Sequence, residues 1–419
     1  MTRVATVILA GGQGTRLHPL TIHHSKPAVS YGGRYKLIDI PISNSINSDF
    51  RQIFILAQHL AGELQHHVSQ TYHFDSFKPG SIDVLTPQQN EKGEQVWFEG
   101  NADAVRKNLS TLMGTNADYF LILSGDQLYN MNFQPMIQFA KMHQADLTIA
   151  SIPITRKDAD RMGLLRIDQN HKIIDFVEKP KDDALIDTYR LESSFFSDCK
   201  IQANKNPMYL ASMGIYVFKR EALQSILTTD PRSDFGHHII HTAVEMGKAY
   251  SFVFHGYWED IGTVASYYEA NLALTKGEAN LNTYDEKNPI YACPVNLPGP
   301  RVESTQVINS ILSEGCIIEA AQIIHSVVGI RCKIGRGTVL KDCVLIGNES
   351  YRSFDHNKYS IGEDCIIEKT IIDEKVKIGN RVKLINQQKL DHFDGNGIFI
   401  RDGIIIVTAE TILPDDFIL

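Results

Sequence analysis

Val4-Ala5-Thr6-Val7-Ile8-Leu9-Ala10-Gly11-Gly12-Gln13-Gly14-Thr15-Arg16 begins as an apolar run and breaks into a glycine-rich loop. A short unbroken apolar run fits a strand buried on both faces. Like 4–9, the stretches 52–57, 119–123 and 147–153 read as such strands, and 60–68, 105–112 and 133–143 between them read as helices. This alternation predicts a mainly parallel sheet with helices on both faces, which binds ligands at the carboxyl ends of its strands. The loop stands at such an end. Its glycines let the backbone curl and aim several N–H groups at one anion. Arg16 puts a fixed cation beside it, Lys26 before Pro27 offers a second, and a helix starting just beyond would add its positive end. No Gly-Lys-Ser/Thr follows as in a Walker A loop, and Leu17 stands where the dinucleotide fingerprint needs its third glycine. Alone, the stretch also reads as a plain turn joining strand to helix.

After about residue 300 the period changes. Apolar residues recur every six positions at Ile317 and Ile323, Val328 and Ile334, Ile361 and Ile367, Ile366 and Ile372, Val376 and Val382, and Ile378 and Leu384. Gly315, Gly329, Gly335, Gly337, Gly362 and Gly379 punctuate them. A six-residue step fits a parallel β-helix, each side of a coil giving one inward side chain and a turn. An ordinary β-sandwich is the alternative. The polar stretch 348–359 reads as a loop leaving the coils, and Pro289, Pro294, Pro298 and Pro300 as a linker. The expected domains are therefore 1–285 and 286–419.

A chain of 419 residues, 43% of them hydrophobic, has material for two cores. Its net charge of −8 disfavours a general nucleic-acid binder but leaves room for a phosphorylated small substrate. The six cysteines, Cys199, Cys293, Cys316, Cys332, Cys343 and Cys365, form no CxxC pair. They read as small core residues of a reduced, cytoplasmic protein. The apolar run at 4–10 is too short for a membrane span and carries no signal-peptide cleavage site, so no membrane partner is expected.

Further motifs follow the loop in order: Lys26-Pro27-Ala28, Lys36-Leu37-Ile38-Asp39-Ile40, Ser43-Asn44-Ser45-Ile46-Asn47-Ser48, Gly100-Asn101-Ala102-Asp103-Ala104-Val105, Ser124-Gly125-Asp126, Glu178-Lys179-Pro180, Ala211-Ser212-Met213-Gly214-Ile215-Tyr216 and Gly256-Tyr257-Trp258-Glu259-Asp260-Ile261-Gly262-Thr263. The loop and Lys26-Pro27-Ala28 resemble the nucleotidyltransferases that make nucleoside diphosphate sugars. The whole ordered set resembles the ADP-glucose pyrophosphorylases over nearly the full chain. The resemblance implies a Rossmann-like, mostly parallel α/β nucleotidyltransferase domain followed by a left-handed parallel β-helix. It implies the reaction of ATP with glucose 1-phosphate to ADP-glucose and pyrophosphate, with Mg2+, in glycogen or starch synthesis. It also implies a homotetramer regulated by a phosphorylated metabolite.

The same resemblance implies roles. Gly11, Gly12, Gly14 and Thr15 would bind the nucleotide, with Gln88 and Gly100 at the adenine. Arg16, Lys26 and Asp126 would be catalytic, and Asp126 with Asp260 would hold the metal, since Mg2+ prefers one or two carboxylates plus phosphate oxygens and water. Gly163, Glu178, Lys179, Ser212 and Tyr216 would bind glucose 1-phosphate, Lys179 as a point charge on its phosphate. Read singly, Asp126 also fits a turn cap, Asp260 a helix cap, and Lys179-Pro180 a plain loop. Lys383 and Arg401 match positions that hold phosphorylated activators in plant-type members, while Ala409 stands near the third expected lysine. Asn101 replaces the usual Thr. His23 and His24 occupy a stretch whose basic residues, in enteric members, serve activation by fructose 1,6-bisphosphate; histidine carries little charge there at neutral pH. No cysteine precedes Cys199, so the amino-terminal intersubunit disulfide of some plant subunits cannot form.

His237, His238 and His241 include an i, i+4 pair without an HExxH arrangement, and read as part of a structural helix beginning at 234–236; His66 and His67 read likewise. Three rivals stand beside this reading. A related enzyme using UTP, CTP, GTP or dTTP would differ in its base pocket. A noncatalytic regulatory subunit would typically lose the Arg16 or Asp126 equivalent, and both are present. An acyltransferase built on the β-helix lacks a histidine in a recognisable place among the coils.

Overall fold

The computed structural model describes residues 2–77, 79–88, 96–192, 208–276, 281–351 and 360–419. Strand Val4–Ala10 pairs in parallel with Gln52–Ala57 on one side and Tyr119–Ser124 on the other, so that Val7 lies between Phe54 and Ile122. Ser81–Leu85 extends this parallel set beyond Gln52–Ala57. Successive side chains leave a strand on opposite faces. Val7 packs into one core with Ala102 and Val105, and Ile8 into the other with Leu64, Val68 and Ile137. The strands are covered on both faces, which is why their sequences are apolar runs and not alternations.

Two elements differ from the expected pattern. The helix expected over 105–112 is two, Asn101–Lys107 and Leu109–Met113, broken at Asn108. The Asn108 amide donates to Ala104 O at 2.8 Å, a side-chain competitor for the backbone. The sheet, nine strands among the described residues, is mostly parallel through its amino-terminal half and turns antiparallel at Met208–Lys219. That long strand also pairs with Leu147–Thr155 and Leu164–Ile167.

From Arg301–Val302 onward, short strands stack in parallel, coil on coil. Ile323, Leu340, Ile367 and Leu384 stand in register on one face, all fully buried. The apolar positions picked out by the six-residue step are buried except Ile317 and Ile366, whose inward places are taken by Ile318 and Ile367. Ile334 bridges Ile361 in parallel, so the coils resume after the polar stretch, of which 352–359 lie outside the described residues. Cys316, Cys332, Cys343 and Cys365 are buried and unbridged, and Cys293 is half-buried; Cys199 lies outside the described residues.

The two halves share a core. Leu17, Val29, Tyr31, Leu37, Val264 and Tyr267 cluster with Val344, Ile371, Ile404 and Ile406 of the coils. Tyr268 Oη donates to Asp342 O at 2.6 Å, and Ile330 N to Gly33 O at 3.1 Å. The proline-rich stretch is strapped to helix Asp39–Asn47 by Asn47 Nδ2 to Pro289 O at 3.0 Å and Tyr291 N to Ser43 Oγ at 2.9 Å. Among the described residues no helix is long and apolar enough to cross a membrane.

Candidate active site

The glycine loop leaves the end of Val4–Ala10. Gly14 takes a left-handed backbone, φ 64, and an added Cβ there would lie 2.9 Å from the Lys26 Cβ. Glycine therefore lets the loop fold directly onto the Lys26 segment. A Cβ on Gly12 would meet nothing within 4 Å, so the space over the loop is open. Gly12, Thr15 and Arg16 are exposed to it. The helix expected past the loop is absent: Thr15–Leu17 is a single 3-10 turn, with Pro19 two residues beyond. A proline lacks the N–H to extend it. Positive charge comes from the Arg16 and Lys26 side chains and not from a helix end.

Lys26 begins a second 3-10 turn, Lys26–Ala28, and its ammonium donates to Asp126 Oδ2. Ser124 Oγ donates to the other oxygen, Oδ1. Strand Trp258–Asp260 pairs antiparallel with Gln127–Tyr129 and sets Asp260 opposite Gln127, beside Asp126. Arg16 closes a third side: a Cβ on Gly262 would lie 3.2 Å from Asp260 Oδ2 and 3.4 Å from Arg16 Nη1. Burial pushes the Asp126 carboxyl up, but the Lys26 charge and the hydrogen bonds from Lys26, Ser124 and the backbone together hold the group below the usual carboxylate range. The Asp260 carboxyl is raised, first by burial and then by the Asp126 charge. Lys26, Arg16 and Lys179 all act on Asp260 from nearby. Two converging carboxylates, one already paired with a cation, make an oxygen donor set suited to Mg2+ with phosphates completing its shell.

A second cluster adjoins the first. Glu178 is wedged between two glycines: an added Cβ at Gly163 would lie 2.6 Å from Glu178 Oε2, and one at Gly236 would lie 2.7 Å from its Cδ. Lys179 Nζ lies 3.0 Å from Glu178 Oε1, and Lys179 N donates to Met162 O at 3.2 Å. Ser212 N donates to Gly163 O at 2.8 Å. The pairing of Met208–Lys219 with Leu147–Thr155 shifts register between Ser212 and Tyr216, and Gly214 there has φ 70. A bulge of this kind re-aims side chains. Tyr216 stacks on Phe235, ring centroids 6.0 Å apart. Its hydroxyl is pushed well above the usual tyrosine range by burial and then by the Glu178 charge.

Gly100 caps helix Asn101–Lys107, and an added Cβ there would lie 2.4 Å from Ser233 O. Asn101 Oδ1 accepts from Phe235 N at 2.7 Å, so this residue has a structural partner. Gln88 is exposed beyond Ser81–Leu85, its carbonyl accepting from Val96 N at 3.2 Å. Between Gly11 and Gly100 stand residues that the sequence reading missed. Gln58 bonds the Phe98 backbone through both ends of its amide, and His59 stacks on the half-exposed Trp97. No local motif marks them; they matter because the fold brings residue 58 to residue 98.

Lys383 and Arg401 lie on different faces of the β-helix. Lys383 is exposed. Arg401 lines a cleft of about 420 Å³ between the halves, facing Thr15, Arg16 and His18. Its guanidinium is partly engaged by Asp394 Oδ1, at 2.5 Å. At His237, a helical segment begins as expected: Asp234 accepts from His237 N at 2.8 Å, then a wide turn Phe235–Ile239 runs into Ile240–Glu245. Among the described residues no three His, Cys, Asp or Glu side chains group as metal ligands.

A glycine loop at a parallel strand end, with two carboxylates and two cations beside it, is an arrangement suited to phosphate groups and a divalent cation. Residues 5–277 match the nucleotidyl transferase family model, and residues 296–418 match the GLGC left-handed parallel beta-helix domain. The chain belongs to the nucleotidyl transferase family, and the two domains together are the signature architecture of the ADP-glucose pyrophosphorylases. It is a nucleotidyltransferase of the sugar-nucleotide type carrying a left-handed β-helix.

Proposed function

We propose that the protein joins ATP and glucose 1-phosphate into ADP-glucose and pyrophosphate, with domains divided near residue 285. The convergence of Asp126, Asp260, Lys26 and Arg16 beside the Glu178–Lys179 cluster carries this reading. Gly11, Gly12, Gly14 and Thr15 line the triphosphate, with Gln88 and Gly100 toward the adenine. Lys179 holds the phosphate of the sugar; Glu178, Ser212, Tyr216 and the Gly163 backbone hold its hydroxyls. Asp126 and Asp260 would hold Mg2+, which supplies charge neutralisation at the triphosphate. The sugar phosphate is already ionised near neutral pH and attacks the α-phosphorus in line, so the chain needs no general base. Arg16 and Lys26 stabilise charge that grows on the phosphates, and the two clusters hold the reacting anions against each other. Pyrophosphate release measured with ATP, UTP, CTP, GTP and dTTP tests this. ATP is expected to be clearly preferred, and equal or better turnover with UTP overturns it.

The protein is further proposed to be a cytoplasmic homotetramer that supplies glycogen or starch synthesis and answers to a phosphorylated metabolite. Arg401 sits in the cleft beside Arg16, where a small phosphate could reach both. Lys383 faces elsewhere, so a ligand held by both is not supported. With few permanent cations there, activation should be several-fold, in line with coupling of about 1–3 kcal/mol, and weak with fructose 1,6-bisphosphate. A velocity screen at subsaturating substrate checks this. Strong activation by fructose 1,6-bisphosphate that survives Arg401→Ala places the effector elsewhere.

A further inference from the structure

We infer that Glu63, His24 and Asp373 form a clasp through which the β-helix positions the Lys26 turn. The inference rests on the reading of Lys26 as a phosphate-facing cation. Ahead of the turn, His24 Nδ1 lies 3.0 Å from Glu63 Oε1. Behind it, Ala28 O accepts from Lys36 Nζ at 2.9 Å, and the same ammonium donates to Glu63 Oε1 at 2.8 Å. Both flanks of Lys26 are thus tied to one carboxylate oxygen on helix Ala61–Thr71. The other edge of the His24 ring faces the coils, with Nε2 3.9 Å from Asp373 Oδ1.

Asp373 follows strand Thr370–Ile372 and is only 5% exposed. Its N donates to Val407 O at 3.0 Å, and its Oδ1 accepts from Glu374 N at 2.7 Å, which fixes the carboxylate. The His24 side chain is 14% exposed. The charged groups facing it are Glu63 from the helix, Lys36 from the short strand Tyr35–Lys36, and Asp373 from the coils. Burial disfavours the imidazolium, but Glu63 and Asp373 outweigh it and raise the His24 pKa above its ordinary value. Protonated, His24 bridges carboxylates from both halves; neutral, it loses that bridge. Placement matters at this site because a shift of about 1 Å in a reacting group can cost roughly 100-fold in rate.

Full-length Asp373→Asn, His24→Gln and His24→Lys are compared with wild type and Lys26→Ala by kcat and KM from about pH 6 to 9, with thermal unfolding as a check on folding. Asp373→Asn and His24→Gln are expected to lower kcat roughly tenfold while KM for glucose 1-phosphate stays within about twofold. Wild-type kcat should decline above neutral pH as His24 loses its proton. His24→Lys, charged throughout, should keep kcat and abolish that decline. A role confined to stapling the halves would change unfolding and leave the pH profile alone. Unchanged kcat in folded Asp373→Asn, with Lys26→Ala inactive, overturns the clasp and leaves Lys26 in its role. A fully active Lys26→Ala removes the reading beneath it. Should His24→Gln not fold, Asp373→Asn and His24→Lys decide.

Discussion

Lys179 holds a left-handed backbone, φ 46, which non-glycine residues rarely adopt. Such conformations cluster where a side chain must be aimed. Its side chain is 54% exposed, and its ammonium, 3.0 Å from Glu178 Oε1, keeps an open side toward a ligand. Asp126, in contrast, is already committed to Lys26 and Ser124. These environments predict different kinetic signatures. Lys179→Ala should raise KM for glucose 1-phosphate roughly 10- to 100-fold and leave KM for ATP near wild type, because a charge-assisted contact is worth about 1.5–3 kcal/mol in ground and transition states alike. Asp126→Asn should lower kcat by about 100- to 1,000-fold with folding intact. Steady-state kinetics separates them: equal shifts in both KM values refute the first, and near-wild-type kcat the second. Glu178, Lys179 and Asp126 were legible because each sits in a motif next to a strand end. Glu63 was not. It bonds residues 24 and 36, and nothing in the sequence near residue 63 announces either partner.

In the coils, the column Ile323, Leu340, Ile367 and Leu384 gives Leu340 and Ile367 an inward neighbour above and below. A cavity in mid-column cannot be filled by rotating one residue, since both neighbours are fixed by strand pairing. Ile367→Ala should therefore cost about 2–5 kcal/mol, measured by denaturant unfolding; a loss under about 1 kcal/mol would mean the coil relaxes around the gap. The six-residue step picked out Ile323, Ile367 and Leu384 of this column in advance, because burial on each side of a coil repeats at fixed spacing; Leu340 entered it only through the strand pairing. Strand direction was less readable. The run 208–219 is apolar whichever way it points, so its antiparallel pairing with Tyr119–Ser124 has no local signal. The missing helix after the glycine loop did have a signal, in Pro19, that the glycine pattern overshadowed.

For the molecule as a whole, an apolar cluster forms much of the seam between the halves, beside the polar cleft at Arg401 and the His24–Asp373 contact. Ending the chain near residue 285 would uncover Leu17, Val29, Tyr31, Leu37 and Tyr267 together. Contiguous exposure on that scale drives association. Residues 1–285 alone should therefore elute as aggregate in gel filtration and bind a hydrophobic dye, and a monomeric, cooperatively melting fragment with full activity would contradict this. Each half supplies a face of the other's core, and the strap from Pro289 to Tyr291 holds them together. That shared surface also bears on descent. A β-helix acquired by recombination from a distant relative would arrive without matching partners for Val29, Tyr31 and Tyr267, and the hybrid would fail before selection could act on its catalysis. The two halves must be inherited as a pair, and substitutions at the seam should drift in step across a lineage.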